Sequence, residues 1–189
     1  VIDSFNTGKG ALLSLANFDV SFLQRFLKLD GINYRGKIYN LDIELYDLFQ
    51  LKDFRGYLTT DTIFVNERPY GRLIGNVELP ALDSALWWRV FLSDKEKHQL
   101  RILGAWAQDN KREHTFDELG KVRPGEFQTK ISMTDFPMEV LQLFVPDISK
   151  TTGKLNAEAI YLGGPFNRMG MSGSARVDGQ FQLDYLKAL

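Results

Sequence analysis

Apolar and polar residues alternate along most of this chain, and a period of two predicts strands. Tyr39, Leu41, Ile43 and Leu45 stand against Ile38, Asn40, Asp42 and Glu44, and Leu73, Val77 and Leu79 against Arg72, Asn76 and Glu78. The same alternation runs through Leu86, Trp88, Val90 and Leu92, through Leu100, Ile102 and Trp106, and through Phe127, Ile131 and Met133. It returns in Leu155, Ala157, Ala159 and Tyr161, and again in Val177, Phe181, Leu183 and Tyr185. A strand with one apolar and one wet face belongs to an antiparallel sheet. Arg68-Pro69-Tyr70-Gly71, Arg123-Pro124-Gly125-Glu126 and Gly163-Gly164-Pro165 carry turn chemistry between the runs. The expectation is an all-β chain of about ten strands.

Two stretches break the alternation. Over 19–27 the apolar positions 18, 22, 23, 26 and 27 fall on one helical face, with Asp19 as an N-cap. Over 135–145 the positions 136, 140, 141, 144 and 145 do the same, and Pro137 sits where a first turn accepts it. Both are predicted as short amphipathic helices.

These stretches also superpose on each other. Phe18, Leu23, Gln24 and Phe26 match Phe136, Leu141, Gln142 and Phe144 at an offset of 118. After a one-residue deletion, Gly36-Lys37-Ile38 falls on Gly153-Lys154-Leu155, Ile43 on Ile160, Leu45 on Leu162 and Gly56 on Gly173. Glycines and a glutamine held in register over some 40 residues argue for an internal repeat, with copy one at about 18–134 and a truncated copy two at about 135–189. The whole chain then reads as a single β-repeat region whose units bury their apolar faces by stacking. Val1 is neither an initiator Met nor the start of a signal peptide, so a fragment or processed product is expected.

Composition narrows the chemistry. The net charge of −1 leaves no electrostatic footprint for nucleic acid or an acidic membrane surface. The absence of cysteine excludes disulfides, thiolate metal sites and a cysteine nucleophile, and fits periplasm and cytosol equally. No apolar run of about 18 residues is present to span a bilayer as a helix. His98 and His114 lie in charged stretches and read as solvated surface without ligand partners. Gly170-Met171-Ser172-Gly173-Ser174 lacks the spacing of a nucleophile elbow, and Gly8-Lys9-Gly10 lacks a phosphate-binding loop. No catalytic set, metal site or cofactor is expected.

The phrase Asp147-Ile148-Ser149-Lys150-Thr151-Thr152-Gly153-Lys154-Leu155, followed by Gly163-Gly164-Pro165 and Met171-Ser172-Gly173-Ser174-Ala175, resembles a recurring unit of the TamB family. Phe136-Pro137-Met138-Glu139-Val140-Leu141 is similar to the segment that precedes that unit. The resemblance is closest over 135–177 and looser over 18–65. The first copy departs from it, because Asp47-Leu48 stands where the second has the glycine pair and proline. Membership in this group, part of the AsmA-like superfamily, implies a long antiparallel sheet folded lengthwise into an open hydrophobic trough, a β-taco. It also implies a periplasmic segment of a protein anchored in the inner membrane of a diderm bacterium, working with an outer-membrane barrel of the TamA or BamA type. The implied cargo is phospholipid acyl chains, moved between membranes, and the implied second role is outer-membrane protein assembly.

On that reading the groove candidates are Leu41, Ile43, Leu45, Leu73, Val77, Trp88, Val90, Ile102, Trp106, Ile131, Ala159, Val177, Phe181 and Leu183. The same alternation equally describes the closed core of a β-sandwich, a carbohydrate- or peptide-binding module of a secreted or surface protein, and a purely structural spacer fits it too. Of Trp87 and Trp88, neighbours on one strand, only one can face such an interior.

Overall fold

The computed structural model describes residues 2–4, 10–21, 33–46, 53–79, 85–94, 99–108, 113–139 and 148–183, and the predicted alternation appears there as strand pairing. The strands are β1 (Ile2–Ser4), β2 (Ala11–Asp19), β3 (Tyr34–Arg35), β4 (Lys37–Leu45), β5 (Phe54–Val65), β6 (Arg68–Leu79) and β7 (Ala85–Ser93). They continue as β8 (Gln99–Ala107), β9 (His114–Phe116), β10 (Gly120–Val122), β11 (Glu126–Pro137), β12 (Ile148–Pro165), β13 (Gly170–Gly173) and β14 (Arg176–Leu183). Twelve of them form one antiparallel sheet in the order β1-β2-β4-β5-β6-β7-β8-β11-β12-β13, with β3 also on β5 and β14 also on β12. The sheet does not close on itself. β9 and β10 form a separate two-stranded hairpin.

Apart from β3 and the β9–β10 hairpin, order in the sheet follows order in the chain, as neighbouring antiparallel strands commonly do. Asn66 and Glu67 join β5 to β6 with φ of 48° and 68°, the double left-handed turn that suits the strand twist. The turn therefore precedes the expected Arg68–Gly71, which instead opens β6. Pro124-Gly125 does turn, with Gly125 at φ 74° and Glu126 N–H donating to Arg123 O at 3.0 Å. At the end of β12 the turn starts after Pro165, whose carbonyl accepts from Arg168 N–H at 2.9 Å, so Gly163 and Gly164 remain in the strand.

The two expected helices are absent from their described parts. Asp19 ends β2, and only Val20 and Ser21 form a single 3-10 turn; 22–27 lie outside the described residues. Asp19 still caps that turn, accepting from Ser21 N–H at 2.8 Å. Its carboxyl is held below the usual aspartate range by the hydrogen bonds from the Ser21 side chain and backbone, with Lys37 adding to them. Likewise 135–137 finish β11, Met138 and Glu139 form a 3-10 turn, and 140–145 lie outside the described residues. Ladder pairing decides against the helix at this point. Phe136 opposes Leu155, and Asp135, at φ 48°, makes the bulge that sets this pairing.

The matched stretches have matched geometry. Asn17 precedes Phe18 at φ 55° as Asp135 precedes Phe136 at 48°. Phe18 opposes Ile38 as Phe136 opposes Leu155, and Gly36 and Gly153 take φ of 151° and 126°. A side chain at Gly153 would also meet Asp178 O at 2.3 Å, so the position needs glycine twice over.

Two apolar clusters hold the sheet. In one, Tyr70 of β6, Leu92 of β7, Phe136 of β11, Met138 just after it, and Leu155 of β12 are buried together. Tyr70 and Phe136 rings meet at 5.9 Å although β7 and β8 lie between their strands. Three strand spacings amount to about 14 Å in a flat sheet, so the side chains on this face are drawn together at this end. An Arg68–Glu139 ion pair sits beside the contact, and burial pushes the Tyr70 phenol up, with Glu139 adding to the shift. The second cluster lies on the other face, where Leu119 and Val122 of the hairpin region cover Leu103, Ala105 and Ala107 of β8.

Candidate functional site: one apolar face of the large sheet

Residues opposed in an antiparallel ladder share a face, so the register sorts the side chains directly. One row crosses the sheet as Leu15, Leu41, Leu58, Gly75, Val90, Ile102, Ile131, Ile160 and Gly173. The next runs Leu13, Ile43, Gly56, Val77, Trp88, Gly104, Thr129, Leu162 and Met171. A third contains Ala11, Leu45, Phe54 and Leu79, then Leu86, Trp106, Phe127 and Gly164. A shorter fourth, Leu73, Leu92, Leu100 and Met133, leads into the Tyr70–Phe136 cluster. Thr129 carries the one hydroxyl of these rows, and it is buried.

The reverse face reads differently. Its matching row is Ser14, Asp42, Tyr57, Asn76, Arg89, Leu103, Lys130, Tyr161 and Ser172. Ser14 donates to Asp42 at 2.5 Å, and Arg55 pairs with Glu78 at 2.8 Å. Outside the patch that the hairpin covers, that face is built for water. The apolar face is not, yet most of its side chains between β2 and β12 are only half-buried. No second sheet covers it among the described residues, since the β9–β10 hairpin stands on the other side.

Local chemistry shapes this face. The indole of Trp88 lies on Gly104, where a Cβ would stand 2.0–2.4 Å from Cε2, Cζ2 and Nε1. Trp87, on the reverse face, packs instead against the hairpin cluster, so the neighbouring tryptophans divide between the two sides. Thr60 fills a bulge in β5, where its hydroxyl accepts from Leu73 N–H at 3.0 Å and donates to Asp61 O at 2.7 Å. At the far end Phe166 turns back from the β12–β13 link. It stacks on Phe127 at 5.0 Å and meets Trp106 edge-on at 5.3 Å.

Ten sequence candidates thus lie together: Leu41, Ile43, Leu45, Leu73, Val77, Trp88, Val90, Ile102, Trp106 and Ile131. Val177 opposes Leu155 at the sheet edge and is 48% exposed. Ala159 alternates with Ile160 and so stands on the reverse side, because a register shift between Ile131 and Met133 changes the phase of β12. The side chains of Phe181 and Leu183 lie outside the described residues. Sequence reasoning missed Leu13, Leu15, Leu58, Ile160 and Leu162. Leu12 blurs the alternation in β2, Gly56 blurs it in β5, and the shift hides it in β12. His114, expected on the surface, is buried in β9, and His98 lies outside the described residues. No protein-family model, no curated protein and no solved structure matches the chain.

Proposed function

We propose that the apolar face is the inner wall of an open trough that shields phospholipid acyl chains, as a segment of a TamB-like periplasmic bridge. The observation that carries this reading is the set of apolar rows running across the strands, while the reverse face is polar outside the patch that the hairpin covers. At roughly 4.8 Å per strand, nine strands spread each of the two long rows over about 38 Å. One acyl chain spans about half of a hydrocarbon core some 30 Å thick, so it fits along a row. Each methylene buried there gains about 0.8 kcal/mol, and the one hydroxyl of the rows, Thr129, is buried and leaves little to fix the lipid in place. Such a surface suits passage more than tight capture. Phospholipid transfer between inner and outer membranes, assistance to outer-membrane protein assembly, and an outer-membrane barrel of the TamA or BamA type as neighbour complete the proposal. A closed sandwich module is less favoured, because it needs a second sheet over this face.

Photo-crosslinking residues at Val90 and Ile131, with neighbours Arg89 and Lys130 as reverse-face controls, test it in the periplasm of a diderm host. Lipid adducts at the first pair and not at the second are expected. Equal labelling on both faces, or none, together with lipid-free protein in native mass spectrometry, rejects the trough.

A further inference from the structure

A second cleft lies on the reverse face, with Trp88 and Gly104 of the apolar rows also reaching its lining. The β9–β10 hairpin leans over β7 and β8, and between them is a cleft of about 370 Å³. That volume falls within the range of roughly 300–1,000 Å³ typical of small-molecule sites. The hairpin is a fixed wall. Leu119 and Val122 are buried against β8, Arg101 of the sheet holds Glu118 of the hairpin turn at 2.6 Å, and Gly120 closes the turn at φ 77°.

The lining has an uncommon mixture of chemistry. Trp87 packs on the hairpin cluster and also faces the cleft, with the Arg89 guanidinium 5.9 Å from its ring. Thr115 and Asp117 line the opposite side, and among the described residues neither side chain has a hydrogen-bonding or ionic partner. Arg89 and Arg101 balance Asp117 and Glu118, so the cleft selects for no net charge. It offers an aromatic plate, a planar fork of donors, a carboxylate acceptor and a hydroxyl that does both. A pyranose is the complementary ligand: it has an apolar C–H face to lie on an indole and rim hydroxyls that each donate and accept. We infer that this cleft is a binding site for a neutral saccharide, held by Trp87, Arg89, Thr115 and Asp117. Its aromatic plate is Trp87 and not Trp88, since the two point to opposite sides of β7.

The test titrates the intact chain with cellotriose, maltotriose and the N-acetylglucosamine trimer, followed by two-dimensional NMR. At least one sugar should shift the Trp87 indole N–H and the backbone amides of 115–119 saturably. Asp117→Asn and Arg89→Gln should each weaken that binding about tenfold, as the loss of a hydrogen bond to a charged group does, with an unchanged melting temperature. Because both positions are exposed, neither variant threatens folding. The inference is overturned if no sugar moves these resonances at about 10 mM, where even a millimolar site would be mostly filled. It is overturned equally if both variants bind as the parent does, or if only short peptides shift the same signals.

Discussion

Replacing Gly104 by alanine tests how the apolar face is packed. Gly104 sits opposite Trp88, and a methyl group there would stand 2.0 Å from Cε2 and 2.2 Å from Cζ2 of the indole. The backbone itself raises no objection, since Gly104 has no positive φ. The indole must therefore move off the glycine. Forcing a group into packed surroundings costs about 1–3 kcal/mol. Against this, alanine restores about 0.5–1 kcal/mol of the conformational entropy that glycine loses in a strand. The net expectation is a loss of about 1–2 kcal/mol, or roughly 2–8 °C in melting temperature for a chain of this size. Thermal and urea unfolding, followed by tryptophan fluorescence and circular dichroism, measure it. The decisive arm is the double mutant. In a Trp88→Ala background the clash is gone, so Gly104→Ala should become neutral or stabilising, and the cycle should show a coupling of about 1–3 kcal/mol. Equal destabilisation in both backgrounds would refute the packing argument.

Three further outcomes follow from single positions. Thr60→Val keeps the shape but leaves Leu73 N–H without its 3.0 Å acceptor, so urea unfolding should show a loss of about 1–3 kcal/mol, and an unchanged midpoint counts against the bulge role. Gly71→Ala should be far worse than Gly120→Ala: both have positive φ, but a Cβ at 71 meets Ser93 O at 2.1 Å whereas nothing lies within 4 Å at 120. Melting curves that rank the pair the other way overturn that reasoning. Asp19 should titrate by NMR below the ordinary value of 3.8, and Ser21→Ala should move it back upward. Because the folded value is depressed, its contribution is present above the unfolded value and is lost as pH falls through the folded one; an unmoved titration in the variant rejects the capping role.

Strands and their sidedness were legible because period two is a direct consequence of the pleat. Leu41, Ile43 and Leu45, or Trp88 and Val90, could be placed on one face from spacing alone. What escaped was phase. Asn17 and Asp135 adopt left-handed φ, which short polar side chains tolerate, and at Asp135 the register against β12 slips by one residue. A bulge makes 136, 138 and 155 neighbours, and the apolar spacing beyond it imitates a helical face. The hairpin cover was hidden for a different reason. Ile102-Leu103-Gly104-Ala105-Trp106-Ala107 is apolar on both sides, which is the pattern of a strand covered on both faces, and only its Ile102 and Trp106 side was read. Leu103, Ala105 and Ala107 are the base on which the hairpin rests, and hence of the second cleft. Apolar alternation alone suggests no function, because it has the same form in a closed core and in an open wall; the trough reading comes from resemblance.

Closed core and open wall nonetheless differ in one measurable respect, their response to a long-chain amphiphile. A closed core has no vacancy for it, and binding to exposed chain during unfolding lowers stability. An open wall that takes acyl chains gains RT ln(1 + [L]/Kd), about 2.7 kcal/mol at a hundredfold excess over Kd. For a chain of 189 residues that corresponds to a rise of roughly 5–11 °C in melting temperature. A lysophospholipid with a sixteen-carbon chain, kept below its micellar concentration, should give such a rise, while the same headgroup on a four-carbon chain should not. Ile131→Asp puts a charge in the middle of a row and should abolish the response, whereas Lys130→Asp, one residue away on the reverse face, should leave it intact. A fall in melting temperature with the long-chain lipid, or an equal effect of the two aspartates, would mean that the apolar rows do not receive acyl chains.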